Sequence, residues 1–376
     1  MRILIVCDSF KGSISAPQVC KALHAGILHI KGNYDFTLKP ISDGGEGSLE
    51  IIKLHTSLKT QSVLCVDPLN RSLKAEYAIS DDGSAYIESA ATCGITLLKN
   101  EEKNPFVTSS RGLGMMINDA IRKGSKQIHL FLGGSGTSDG GAGMMSELGV
   151  KFYNEEGNLM SPCGGNLIKI KNVKIPEKPD FQNITFYTWS DVVNPLLGST
   201  GATFIFASQK GAKEEDLPLL EEGMKNYSHR VKTVLHNKTS IQSKGSGAAG
   251  GLGFASLFFF NAKMEKGMHF FERLFQLKSE ISKADWIITG EGCFDSQSFK
   301  GKVVGSILEY AKRGDKKVIV VCGENKITPH LHKKNGSPKI FSLVNKKISG
   351  EVAMKEAESL LYEVGKKIGI YIKEEK

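Results

Sequence analysis

The sequence predicts an α/β protein of two domains, one discontinuous and built from both chain termini, the other inserted into it. Three observations lead there. The 376 residues exceed what a single hydrophobic core ordinarily organises. Short continuous apolar runs alternate with helical segments at both ends of the chain, the texture of buried parallel strands, and give way in the middle to alternating strands and hairpin turns. Loops rich in glycine and acid follow several of the apolar runs, at the place where open α/β sheets bind ligands.

In chain order, residues 3–7 read as a strand buried on both faces. After the loop DSFKGS, Ser15 is an N-cap and Pro17 lies in the first turn of a helix. Residues 36–41 form a second strand, ending in SDGGEGS and another helix. Past residue 62 the texture changes: 72–79 and 85–87 alternate around an Asp82-Gly83 turn, a hairpin signal. A helix near 113–122, a strand at 127–132 and a long glycine loop leading into 144–148 follow. Glu156-Gly157-Asn158 marks a turn, 185–190 a strand ending at Asp191, and 214–234 and 270–283 two helices. The βα texture then returns with strand 286–289, helix 302–313, strands 318–322 and 340–344, and helix 351–368. The expected division is 1–62 with 284–376 as one domain and 63–283 as the insert.

Glycine is the compositional outlier, with 41 residues, about 11 % against a typical ~7 %. The glycines cluster beside Ser, Asp and Glu, which favours ligand-holding loops over linkers. A net charge of +9 suits an anionic ligand or a nucleic-acid surface. The lysines are scattered, however, with no RNP-like aromatic pattern or zinc-finger spacing, so no nucleic-acid partner is expected. Seven cysteines (Cys7, Cys20, Cys65, Cys93, Cys163, Cys293, Cys322) form no C-x-x-C pair, which points to reduced thiols and a cytoplasmic protein. MRILIVCDSF is too short an apolar run for a signal peptide, and residues 254–260 are too short to span a membrane.

The loops carry the chemistry. In Asp8-Ser9-Phe10-Lys11, Lys11 can neutralise phosphate charge and Asp8 can contact a metal or a substrate hydroxyl; the competing reading is a surface loop with a local ion pair. The glycines of Asp43-Gly44-Gly45-Glu46-Gly47 permit a nest of N–H donors at a helix N-terminus, against a plain turn in which Asp43 or Glu46 caps the helix. The loop from Gly133 to Gly141, GGSGTSDGG, leaves room for phosphate, with Asp139 as its metal- or hydroxyl-binding member. Asp191 in DVVNP is a candidate for Mg²⁺ or for general base, with Asn194 as an orienting amide; an Asx turn before proline is the alternative. GSGAAG at 245–250 matches G-x-G-x-x-G, but the polar segment 237–244 before it is no clear strand, so NAD binding is not expected and a nucleotide-phosphate loop is the alternative. Residues 285–302 begin as a buried strand and break into a glycine turn with Glu291 and Asp295, followed by Ser296, Ser298, Lys300 and Lys302: the pattern of a phosphoryl-transfer site. P-loop, protein-kinase and G-x-S-x-G patterns are missing. His330 and His332 read as an exposed loop, and Cys293 has no histidine partner.

Taken together, DSFKGSISA, PISDGGEGS, TSSRGLG, GGSGTSDGGAG, SDVVNPL, QKGA, GSGAAGGLG and ITGEGCFDSQSFKGK resemble, in this order, the type-1 bacterial glycerate kinase family. The resemblance implies ATP- and Mg²⁺-dependent phosphorylation of D-glycerate, 2-phosphoglycerate being the favoured product. It also implies a discontinuous flavodoxin-like parallel-sheet domain with an inserted α/β domain and the active site in the interdomain cleft. On the matching loops, catalysis falls to Asp191, Lys11, Asp8 and Asp295, with Asp191 the preferred base. Nucleotide binding falls to Gly133, Gly134, Ser135, Gly290, Glu291, Gly292, Gly44 and Gly45. Substrate binding falls to Arg111, Asp43, Glu46 and Ser9, and Mg²⁺ binding to Asp139, Asp191 and Asp43. The chain departs from the family at Cys293, where Arg is common, at Ser138 for Asn, at Ser190 for Cys, and at Ala207-Ser208 for Gly-Pro. Losing an arginine beside a phosphate site removes a charge-assisted fork. The expected partners are D-glycerate and ATP, with no membrane and a homodimer left open. A kinase of another small hydroxy acid and a non-catalytic sugar-acid sensor are the alternatives.

Overall fold

The computed structural model describes residues 1–236, 238–299 and 302–375. The chain divides into two units, Met1–Asp43 with Gly267–Lys376, and Gly44–Lys266. Strands β1 (Arg2–Cys7) and β2 (Asp35–Leu38) open the chain. The middle contributes β3 (Leu58–Val66), β4 (Ser72–Ser80), β5 (Ser84–Glu88), β6 (Gln127–Phe131), β7 (Lys151–Tyr153), β8 (Asn172–Lys174), β9 (Thr185–Trp189) and β10 (Lys263–Glu265). The last strands are β11 (Trp286–Phe294), β12 (Lys317–Asn325) and β13 (Lys339–Ser342).

The terminal unit is a five-stranded parallel sheet of order β13-β12-β11-β1-β2. Counted in their own chain order its strands run 2-1-3-4-5, the flavodoxin-like order, whose switch point lies between β1 and β11. Both faces are covered, which is why these strands are continuous apolar runs. On one face Ile3, Ile5, Ile288 and Val321 pack with Val19, Leu23, Leu361 and Ile368 of the helices Ala16–Leu28 and Ala357–Glu374. On the other, Val320 and Cys322 meet Val304 and Leu308 of the helix Val303–Arg313. Ser15 caps the first helix as expected, its N–H donating to Gln18 Oε1 at 3.1 Å, with Pro17 in the first turn.

The middle unit holds a six-stranded sheet of order β10-β9-β6-β5-β4-β3, antiparallel from β3 to β5 and parallel from β5 to β10. A small two-stranded antiparallel sheet, β7-β8, is separate from it. The expected hairpin is thus the middle of a meander whose first strand, β3, the sequence reading did not separate from the change of texture near residue 62.

The domain boundaries differ from expectation at both joins. Residues 44–62 fall in the middle unit because the helix Ser48–His55 is tied to β5, Leu49 N–H donating to Glu88 Oε1 at 2.6 Å, and because β3 pairs along its length with β4. Residues 267–283 fall in the terminal unit, where Tyr310 donates to Glu272 Oε2 at 2.7 Å. The expected helix 270–283 is two, Gly267–Phe275 and Leu277–Lys283, parted by Gln276 at φ +50°. The expected helix 351–368 is likewise split, into Gly350–Lys355 and Ala357–Glu374. Among the described residues no helix is long and apolar enough to cross a membrane.

Candidate active site

The strongest concentration of chemistry lies in the terminal unit, at the carboxyl ends of β1 and β11. Here β11 corrects the sequence reading: it does not break at Gly290 but runs to Phe294, with Cys293 opposite Glu324 and Phe294 opposite Asn325 of β12. Gly290 is therefore a buried sheet residue, its carbonyl accepting from Asp8 N–H at 2.9 Å. The extension carries Glu291 and Cys293 outward on the strand itself.

Asp8, Ser9, Lys11, Asp43, Glu291, Gly292, Cys293, Asp295 and Lys302 line one cavity of about 340 Å³, within the range of small-molecule sites. Phe10, Leu343, Val344, Ala353 and Met354 give it an apolar wall, and Ser13 and Glu324 also line it. Asp8 is buried, and its Oδ1 accepts from Ser9 N–H at 2.6 Å and Ser9 Oγ at 3.3 Å. Burial, then the neighbouring Asp43 charge, push its carboxyl well above the usual range, against the pull of Lys11. Lys11, largely exposed, pairs with Asp43. Glu291 is buried, and its Oε1 has no hydrogen-bond partner among the described residues. Burial raises its carboxyl to about 7. Asp295 closes a turn: Oδ1 accepts from Gln297 N–H at 2.7 Å, and its own N–H donates to Ser298 Oγ at 3.0 Å. Cys293 Sγ stands 4.0 Å from Asp295 Oδ2, with its thiol pushed up by burial and by that acid. Lys300 lies outside the described residues.

In the middle unit the structure brings two predicted loops together. A Cβ on Gly133 would stand 2.7 Å from Gly45 Cα, and one on Gly134 3.7 Å from Glu46 Oε2. The loop 133–141 follows β6 and is stitched to its surroundings: Ile95 N–H donates to Gly134 O at 2.8 Å and Gly136 N–H to Cys93 O at 2.7 Å. Its exposed tip is Gly134, at φ +61°, a conformation that glycine adopts without strain. The N–H groups of Gly134 and Ser135 donate to no protein acceptor among the described residues.

The structure bears on three of these readings. Asp139 is not a metal ligand. It is fully buried, and its Oδ2 accepts from Ser110 N–H (2.7 Å), Ser110 Oγ (2.8 Å) and Gly143 N–H (3.1 Å), while Oδ1 accepts from Gly141 N–H (3.0 Å). Those donors use the lone pairs a cation would need. Arg111, the first residue of the helix Arg111–Arg122, pairs through its Nε with Glu147 Oε1 at 2.5 Å. The G-x-G-x-x-G segment is a packing device. Gly247 N–H donates to Asn194 O at 3.0 Å, Gly250 O accepts from Gly140 N–H at 3.0 Å, and a Cβ on Gly250 would lie 2.1 Å from Thr137 O. Asp191 follows β9, with its Oδ2 shielded from solvent, and Asn194 Nδ2 donates to Thr200 O at 2.8 Å.

Two residues escaped the sequence reading. Glu88, at the end of β5, anchors the helix after the Gly44–Gly47 turn, and burial raises its carboxyl to about 7. Lys210 is fully buried beneath the loop 133–141, its Nζ donating to Thr137 O at 2.6 Å and Ser135 Oγ at 3.1 Å. QKGA was its only signal, and nothing local in that motif announces a buried ammonium.

Comparison with known proteins places these loops in context. The family model described as "Glycerate kinase family" matches residues 3–373. A glycerate kinase of Bacillus cereus is 36 % identical over 373 residues, 98 % of this chain and 97 % of the relative. A glycerate 2-kinase of Escherichia coli is 35 % identical over 346 residues, 92 % and 91 % of the two chains. A solved structure from Salmonella typhimurium LT2, described provisionally as glycerate kinase 2, superposes with a TM-score of 0.80 at 32 % identity, covering 99 % and 98 %.

Proposed function

Since the chain belongs to the glycerate kinase family, whose enzymes transfer phosphate to an alcohol of glycerate, we propose that it phosphorylates D-glycerate at the 2-hydroxyl, with ATP as donor and Mg²⁺ as cofactor. The observation that carries this reading is the cavity at the β1/β11 switch point. It joins two lysines, Lys11 and Lys302, to the acids Asp8, Asp43 and Glu291, and burial raises the carboxyls of Asp8 and Glu291.

Phosphoryl transfer asks a protein chiefly for positioning and charge neutralisation. In the terminal unit, Lys11 exchanges Asp43 for the transferred phosphoryl group, and Ser9 and Asp43 orient the acceptor hydroxyls. Asp295 stays beside them as an acceptor on its turn. In the middle unit, the unpaired N–H groups of Gly134 and Ser135, with the adjoining Gly133, Gly44 and Gly45, receive phosphate oxygens of the nucleotide. Asp191 takes the proton of the attacking hydroxyl.

The acids of the cavity suit Mg²⁺. Among the described residues no three metal-binding side chains are gathered into a ready-made site. Mg²⁺ is ordinarily held by one or two carboxylates plus substrate phosphates, and the unpartnered Oε1 of Glu291 offers such an oxygen beside Asp43. Glu291 and Asp43 would hold the ion, which when bound neutralises charge on the phosphoryl oxygens.

The test is release of ADP from ATP in the presence of D-glycerate, followed by NMR of the product to read the phosphorylated carbon. Glycerate-dependent ADP release giving 2-phosphoglycerate is expected; none at millimolar glycerate overturns the proposal. Asp191→Asn is expected to lower kcat by about 100-fold or more without lowering thermal stability; near-normal turnover moves the base elsewhere.

A further inference from the structure

Lys210 ends the short turn Ser208–Lys210 and is 1 % exposed. A lysine buried so deeply ordinarily faces a carboxylate, since a desolvated charge is costly. Here the two hydrogen-bond acceptors of its Nζ are neutral oxygens, Thr137 O and Ser135 Oγ, and no carboxylate lies within ion-pairing distance among the described residues. Asp139, the acid whose charge it feels most, is occupied by Ser110, Gly141 and Gly143. The desolvation lowers the ammonium to about 8.

Both acceptors belong to the loop 133–141, and Ser135 also carries one of the two unpaired N–H groups at its tip. Gly250 is what allows the amine in: a Cβ there would stand 2.8 Å from Nζ. A cation without a counter-ion thus sits directly behind donors without an acceptor. One ligand chemistry balances both, an oxyanion resting on the tip of the loop. We propose that Lys210 is a positioning residue for the phosphoryl donor, shaping the loop through Ser135 Oγ and Thr137 O and supplying the positive charge behind the nucleotide's phosphate oxygens. The proposal rests on the reading of this loop as the nucleotide's phosphate site.

Lys210→Met keeps the length and apolar stem of the side chain and removes its charge. ATP and inorganic pyrophosphate binding, measured by calorimetry on the full chain, are expected to weaken about tenfold or more. KM for D-glycerate stays at its wild-type value, and Tm stays equal or rises, because an unpaired buried charge has gone. A merely structural lysine gives the reverse, a lower Tm with ATP affinity intact, and that result overturns the proposal. Lys210→Gln provides a second neutral variant; failure of both to fold also overturns it, because the ammonium would then be needed for the fold alone. The wild type separates the two levels. If it binds ATP and both variants bind as tightly, only the role of Lys210 falls. If the wild type binds neither ATP nor pyrophosphate, the phosphate-loop reading falls with it.

Discussion

Asp139, in a glycine-rich loop, and Glu291, between two glycines on β11, are both buried carboxylates, and their surroundings give them opposite work. Asp139 is surrounded by N–H and O–H donors and organises backbone, whereas Glu291 keeps a buried oxygen without a partner. Removing the acceptors of Asp139 leaves three backbone N–H groups unpaired, so Asp139→Ala is expected to cost on the order of 3 kcal/mol, read as a lower urea midpoint. Glu291 and Glu88 predict a pH dependence. Burial raises both from the ordinary 4.5 to about 7, so the folded state binds more protons than the unfolded state between those values. Their protonated contribution is complete below about 4.5 and is lost as pH rises through about 7, so the unliganded protein is less stable at pH 8 than at pH 5.5. Each group accounts for at most about 3 kcal/mol of that loss. Glu291→Gln should flatten the slope and stabilise the protein at pH 8, with Glu88 and the other acids raised by burial, Asp8 among them, supplying the slope that is left. A variant with the full wild-type slope would show that Glu291 is not the titrating group.

At the scale of elements, the strands and the loops after them were legible, because a run such as Ile3–Ile5 has one stable environment and glycines beside acids mark turns that bind or cap. The misplaced limits have physical causes. β11 outlasts its apolar run because Glu291 and Cys293 go on pairing with β12, and pairing depends on a neighbour far away in sequence. The break at Gln276 is a left-handed residue inside a helical pattern, and a pattern of apolar spacing does not register it. In the candidate site, sequence found Lys11, Asp8, Asp43 and Glu291 by chemistry. It could not tell Asp139 from them, since the letters are alike and only the surrounding donors differ. Lys210 was hidden for the same reason: its burial is made by Gly250, forty residues on. That contact gives a prediction. Gly250 holds φ +69° and would carry a Cβ 2.1 Å from Thr137 O, whereas Gly157, at φ +80°, has nothing within 4 Å of such an atom. Gly157→Ala should cost about 1 kcal/mol through backbone strain alone. Gly250→Ala should cost several times as much, and should weaken ATP binding in whatever fraction folds. Equal thermal shifts for the two variants would show that Gly250 does not hold the loop 133–141 in place.

At the scale of the molecule, the division into units is a division of cores. The large apolar cluster from Cys65 and Tyr77 to Phe258 and Phe260 draws every member from the middle unit, and the cluster joining Ile3, Leu23, Ile288, Val321 and Leu361 draws every member from the terminal one. The sequence showed that there were two textures, but placed the joins by composition, whereas the structure places them by which core a helix feeds. Folding should follow the cores. The middle unit is a single continuous segment, so its sheet closes without waiting for the rest of the chain. The terminal unit must bring β1 beside β11 across the whole insert, at a loop-closure cost that falls once the insert is ordered. The excised segment 44–266 is therefore expected to fold alone, with near-UV circular dichroism and one cooperative urea transition, and to refold faster than the full chain regains the fluorescence of Trp286 on β11. Residues 1–43 alone, carrying two strands of a five-stranded sheet, should stay unfolded. A segment 44–266 with secondary structure but no near-UV signal would mean that its core, though drawn from one unit, is fixed only in the presence of the other.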